Sequence, residues 1–171
     1  MIGRIEEVRE QVTDLASTVQ ALSHQLHSSK LDLLGVVTAC GGFCREFAGH
    51  HGVRVEFQSE GIPKNLPKEV SICLFRILQE ALLNALKHSG SRHYRVSLMS
   101  VSNEIRLSVQ DAGIGFDPEK AILGNGLGLT SMRERLRLVD GQFSIESIPR
   151  GGTTVHAGVP LSLKARAVQA R

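Results

Sequence analysis

The chain has 171 residues, 42% hydrophobic and 22% charged, a composition that suits a globular domain with an appendage and excludes a disordered chain. Lys and Arg outnumber Asp and Glu by only 20 to 17, with one Tyr and no Trp, so no basic stacking surface for nucleic acid is implied. No apolar run reaches the roughly 18 residues of a membrane-spanning helix, and the charged start Met1-Ile-Gly-Arg-Ile-Glu-Glu has no apolar signal core.

In chain order, the first feature is a heptad seam. Ile5, Val8, Val12, Leu15, Val19, Leu22 and Leu26 alternate spacings of three and four, with β-branched residues mostly in the first position and Leu in the second, the pattern of two-stranded packing. A lone helix of this length cannot bury such a seam, so residues 2–28 predict a homodimer or a partner helix. His24 and His27 lie one turn apart near its end. Neither has an acid beside it, and Leu22 and Leu26 hold the seam, so His24 points away from it and reads as part of a solvated hinge.

From Leu31 to about Gly49, the spacing of Leu33, Leu34, Val36, Val37, Cys40, Phe43, Cys44 and Phe47 predicts a helix docked on a core. Gly52 marks a break. Cys40 and Cys44 sit one turn apart, but no second pair of soft ligands follows at zinc spacing. With Cys73 they read as buried free thiols in a reducing cytoplasm. Val53, Val55 and Phe57 alternate as a half-buried strand. A loop with Pro67 placed to open a helix follows.

Lys68–Ser89 is predicted as the central helix, apolar almost all round. Arg76, Glu80, Asn84 and His88 form a polar stripe at four-residue steps, with Lys87 alongside. Tyr94, Val96 and Leu98, then Ile105, Leu107 and Val109, read as two strands, and Ser102-Asn103 suits the tight turn between them. A glycine-rich region from Asp111 to Gly128 leads to a helix expected over Ser131–Val139, with Ser131-Met-Arg-Glu134 as a capping box. Phe143 and Ile145, then Val155, Ala157 and Val159, complete the strands. The order predicts an α/β two-layer sandwich, a mixed sheet of about five strands with one face covered by helices.

Three features point to chemistry. Asn84 offers a hard oxygen of the kind Mg²⁺ accepts while it keeps waters and phosphate oxygens, and Glu80, one turn earlier, is placed to orient a metal-bound water. Asp111, at a strand end, is placed to accept a hydrogen bond from an exocyclic amine, with Gly113 and Gly115 permitting close approach. Gly124-Asn-Gly126-Leu-Gly128 before a helix suits a cradle of backbone N–H groups for phosphate. It is not a P-loop, since no Gly-Lys-Ser/Thr follows, nor a dinucleotide fingerprint, since the spacing and the surrounding elements are wrong. Together these are the parts needed to hold Mg-ATP.

At this point four stretches resemble a known family, the ATP-binding catalytic domain of sensor histidine kinases, within the superfamily shared with gyrase, Hsp90 and MutL. QEALLNALKHS (Gln79–Ser89) resembles the N box, DAGIGF (Asp111–Phe116) the first G box, GNGLGLTSMRERL (Gly124–Leu136) the second, and GGTTVHAGVP (Gly151–Pro160) the closing Gly-Thr strand. The resemblance implies a Bergerat-type ATPase fold over residues 31–162, behind a dimerisation-type helix at 1–30 and before a disordered tail at 163–171. It implies that Asn84 coordinates Mg²⁺, that Glu80 assists transfer, and that Lys87 and His88 face the phosphates. It further implies that Asp111 reads the adenine amine with Thr153 in support, that Gly113 and Gly115 shape the base pocket, and that Gly124, Gly126 and Gly128 form a lid. The activity implied is transfer of the γ-phosphoryl group of ATP to a histidine in two-component signalling, in a subclass that pairs with response regulators of helix-turn-helix output. The family's acceptor motif, of the form Glu-Leu-His-Asp, is absent; residues 2–28 resemble the second dimerisation helix instead. A stand-alone ATP-binding module of the anti-sigma serine-kinase kind, or a non-catalytic nucleotide-binding protein, is the competing reading.

Overall fold

A computed structural model describes residues 31, 33–117 and 127–161; the heptad segment, Gly124, Gly126 and the tail lie outside them. The elements are helix α1 (residues 33–51), strand β1 (Arg54–Glu60), helix α2 (Lys68–His88), strands β2 (His93–Val101) and β3 (Glu104–Asp111), helix α3 (Leu127–Arg137), and strands β4 (Gln142–Ile148) and β5 (Gly152–Pro160). They build one five-stranded sheet in the order β1-β2-β3-β5-β4. β1 and β2 are parallel because the 21-residue α2 carries the chain back between them. The other neighbours are antiparallel. Ser102 and Asn103 both take left-handed φ, +51° and +68°, the type I′ geometry that matches strand twist in a two-residue turn.

Strand alternation decides which face is covered. Tyr94, Val96 and Leu98 on β2, Ile105, Leu107 and Val109 on β3, and Val155, Ala157 and Val159 on β5 are all buried. Their neighbours Arg95, Arg106 and Gln110 point to the open face. α2 lies against β3 and β5, and α3 against β4, β5 and α2. α1 joins the helical layer through Phe43, whose ring meets Phe75 of α2 edge-on at 5.6 Å. Leu74, Ile77, Leu78 and Leu82 put the α2 spine entirely inside, each worth about 1.5–3 kcal/mol of transfer free energy. Tyr94 is fully buried, and its hydroxyl donates to the Ser91 carbonyl at 2.7 Å.

The three cysteines are free and buried, as expected. Burial pushes the Cys40 thiol far up, Cys44 to about 12 and Cys73 to about 11, so none carries thiolate near neutrality. No helix among the described residues is long and apolar enough to cross a membrane.

α2 begins at Lys68 as expected, with Pro67 at its N-cap (φ −51°, ψ 140°) and the Pro67 carbonyl accepting the Ser71 N–H at 3.0 Å. The next helix differs from the sequence expectation. α3 begins at Leu127 instead of Ser131. Ser131 is therefore in the second turn, where its hydroxyl accepts from Arg135 Nε at 3.3 Å, and Glu134 pairs with Arg137 at 3.2 Å. The capping box does not form. Packing of Gly128 against α2 outweighs the roughly 1 kcal/mol penalty of a helical glycine.

Candidate nucleotide site

The helical layer and the sheet part at one end to leave a cavity of about 450 Å³. Asn84 and His88 reach it from α2, Asp111 from the end of β3, Gly115 from the loop after β3, Gly128 from α3 and Thr153 from β5. Ala81, Val109, Ile114, Phe116, Leu129, Ile145 and Val155 supply an apolar lining. An apolar slot with a few convergent polar groups is the usual form of a small-molecule site. Lys87 is exposed beside His88 and does not line the cavity.

Asp111 is 6% exposed at the bottom. Its Oδ1 accepts the Gly113 N–H at 2.8 Å. Burial pushes its carboxyl above the ordinary carboxylate range, against the opposing pull of the Gly113 and Thr153 backbone N–H groups. The second carboxylate oxygen thus belongs to an acceptor held inside an apolar pocket, where an amine-bearing ligand face finds a strong partner.

The first glycine loop is wedged between two elements. The Ile114 N–H donates to the carbonyl of Ser89 at the end of α2, at 2.8 Å. On the other side, the Ile114 carbonyl accepts the Arg150 N–H at 2.6 Å, from the β4–β5 turn. A Cβ on Gly113 would collide with the Ser89 backbone, and one on Gly115 with the Ile148 carbonyl. Gly115 also takes φ +58°, so both its space and its conformation demand glycine.

Ser147 was missed by the sequence reading. Its hydroxyl accepts the Phe116 N–H at 2.9 Å, donates to the Gly152 carbonyl at 3.0 Å, and meets Thr153 Oγ1 at 2.9 Å. This one side chain ties the loop to β4 and β5 and fixes Thr153 beside Asp111. The strand alternation of β4 predicts that Ser147 shares a face with Phe143 and Ile145, but nothing in the sequence announces its loop partner.

At the other end, Gly128 lies directly over the polar stripe of α2. A Cβ there would meet Glu80 Oε1 and stand 3.1 Å from Asn84 Nδ2. Glu80 and Asn84 are both half-buried. Of the site residues expected from sequence, the structure brings Asn84, His88, Asp111, Gly115, Gly128 and Thr153 to one cavity. Glu80 sits at its edge beneath Gly128, and Gly113 packs behind it on Ser89. Gly124 and Gly126 lie outside the described residues.

Residues 69–163 match the family model described as "Histidine kinase-, DNA gyrase B-, and HSP90-like ATPase". The chain is 31% identical over 161 residues to the signal transduction histidine-protein kinase/phosphatase DegS of Brevibacillus brevis, covering 94% of this chain and 42% of that protein. It is 35% identical over 159 residues to the oxygen sensor histidine kinase NreB of Staphylococcus carnosus (strain TM300), covering 93% and 45%. The chain thus spans less than half the length of these relatives. Among solved structures, the histidine kinase domain of the Erythrobacter litoralis EL346 blue-light activated histidine kinase shares the fold with a TM-score of 0.66. That match has 22% identity and covers 81% of this chain and 71% of that one.

Proposed function

Because the chain belongs to the family of histidine kinase-, DNA gyrase B- and HSP90-like ATPases, we propose that it is the catalytic portion of a sensor histidine kinase, binding Mg-ATP and passing the γ-phosphoryl group to a histidine. The observation that carries this reading is the convergence of Asn84, Asp111, Thr153, Gly115 and Gly128 on one cavity, with Glu80 against Gly128.

The donor set fits Mg²⁺. One amide oxygen on Asn84 and one nearby carboxylate on Glu80 leave most of an octahedral shell to waters and phosphate oxygens, the arrangement this ion prefers. No group of three His, Cys, Asp or Glu able to cage an ion alone occurs among the described residues, so an ion here is shared with the nucleotide. When bound, it neutralises phosphate charge and orients the terminal phosphoryl group.

The chain's own residues do the rest. Asp111 accepts the adenine amine, and the Ser147–Thr153 pair holds the strand against which the base lies. Gly113 and Gly115 let the loop close on the base edge. Asn84 fixes the ion, and Glu80 orients a water or the incoming imidazole. Lys87 and His88 face the phosphates, Lys87 with its ammonium, and Gly124, Gly126 and Gly128 close over the triphosphate. Chemistry is then in-line transfer driven by positioning and charge neutralisation.

The acceptor histidine comes from another helix. Residues 2–28 pair with a second copy or with a partner kinase helix, and phosphate passes onward to a cytoplasmic response regulator with a helix-turn-helix output. Incubating the chain with γ-labelled ATP and a full-length partner kinase that is inactivated at its own counterpart of Asn84 tests this directly. Acid-labile label on the partner's histidine is expected; bound ATP with no label anywhere would reduce the chain to a nucleotide-binding module.

A further inference from the structure

The covered face of the sheet ends in a polar row. Strand pairing sets Asp111 of β3 beside Thr153 of β5, and Thr153 beside Ser147 of β4. The next row along the strands, Val109, Val155 and Ile145, is apolar. Asp111 and Thr153 line the cavity, and Ser147 stands behind Thr153. We propose that Ser147 is a positioning residue for base specificity: it takes up the hydroxyl proton of Thr153, so that Thr153 and Asp111 both present acceptors and the site admits a 6-aminopurine over a 6-oxopurine. This rests on the reading that the cavity holds the base of a nucleotide against Asp111.

A serine hydroxyl has one hydrogen to donate and two lone pairs to accept with. Ser147 Oγ has three neighbours at hydrogen-bond distance: the Phe116 nitrogen at 2.9 Å, the Gly152 carbonyl at 3.0 Å and Thr153 Oγ1 at 2.9 Å. A backbone N–H only donates and a carbonyl only accepts. Ser147 therefore accepts from Phe116 and gives its hydrogen to Gly152. Its remaining lone pair faces Thr153, so Thr153 supplies the proton of that contact. If Ser147 donated to Thr153 instead, its oxygen and that of Gly152 would meet with no proton between them, at a half-buried place where an unmade hydrogen bond is costly.

Thr153 is thus left with lone pairs alone toward the cavity. Beside it, Asp111 Oδ1 accepts the Gly113 N–H at 2.8 Å, and an ionised carboxylate only accepts. Two acceptors on adjacent strands meet one ligand edge. An exocyclic amine offers two N–H donors and suits both. A carbonyl at the same ring position offers none and would face oxygens on both strands. A free threonine hydroxyl could turn and donate to that carbonyl; Ser147 removes this option. The same Ser147 oxygen holds the loop after β3 through Phe116, which also lines the cavity.

Calorimetric titration of the full chain with ATP and with inosine triphosphate, both with Mg²⁺, tests the proton assignment, because inosine carries a carbonyl where adenosine carries the amine. The intact chain should prefer ATP by about tenfold or more. Ser147→Ala should reduce that preference by about tenfold, in part by binding inosine triphosphate more tightly than the intact chain does. Ser147→Thr keeps the hydroxyl and should keep the preference. Thr153→Val removes the hydroxyl through which Ser147 acts, so adding Ser147→Ala to it should leave the ratio unchanged. If Ser147→Ala does not fold, Ser147→Cys, of similar shape with a weak donor and acceptor, should shift the ratio in the same direction. Equal losses for both nucleotides in Ser147→Ala, or an unchanged ratio in a folded Ser147→Cys, would overturn the assignment. So would an effect of Ser147→Ala that persists in full beside Thr153→Val, or an intact chain that binds both nucleotides equally. An intact chain that binds neither would instead defeat the underlying site reading.

Discussion

Asp111 sits in an environment that works against its charged form. Its carboxyl titrates above the ordinary range because it is buried, so the folded protein holds its proton to higher pH than the unfolded chain does. The stability this gives is complete below the unfolded value of about 3.9 and is lost as pH rises through the raised folded value. Asp111→Asn keeps the shape and removes that dependence. Melting curves across the acid range should lose a downward step with rising pH, and ATP should lose its advantage over GTP in competition binding. A variant that still prefers ATP would show that another group reads the base. The glycines separate in the same way. Gly113→Ala meets the Ser89 backbone, which cannot yield cheaply, so it should cost about 1–3 kcal/mol in denaturant unfolding. Gly128→Ala meets only side-chain ends, Glu80 Oε1 and Asn84 Nδ2. Stability there should hold or rise by up to about 1 kcal/mol from helix propensity, while phosphoryl transfer falls because Glu80 is displaced.

Among elements, α2 supplies both the spine of the core and the polar groups that reach the cavity, and it is the most legible. Its apolar girth gave away its burial, and the stripe of Arg76, Glu80, Asn84 and His88 stood out because polar residues on such a helix need a reason. Leu82→Ala, at a fully buried position, should cost about 2–5 kcal/mol in chemical denaturation; a loss under 1 kcal/mol would mean the spine packs loosely. α3 was less legible. Its first turn contains Gly128, and a local reading of capping residues moved the start to Ser131, because the contact that holds Gly128 in the helix comes from Glu80 and Asn84, more than forty residues earlier in the chain. Ser147 was invisible for a similar reason. A serine on a strand says nothing about a loop thirty-one residues away, and only the register of β4 on β5 brings Ser147 opposite Thr153. Asp111 and the glycines of its loop were readable because the residue types themselves are restrictive.

At the scale of the molecule, connection lengths account for most of the mixed sheet: one long helical crossover makes the parallel pair and short turns make β2–β3 and β4–β5 antiparallel, while β5 comes to lie antiparallel beside β3 only after α3 and β4. This puts the end of β3 and the last turn of α2 at one edge of the helical layer, where the cavity opens. The core from α1 to β5 is continuous. A chain shortened to begin at residue 31 should therefore remain a folded, ATP-binding monomer by size-exclusion chromatography and circular dichroism; collapse of that fragment would tie the heptad segment to the core. On the proposed reading, the cavity between α2 and the sheet holds Mg-ATP through Asn84. Isothermal titration of the intact chain and of Asn84→Ala with Mg-ATP tests this. Saturable one-site binding to the intact chain and none measurable to the variant are expected; equal affinity in both would remove Asn84 from the site.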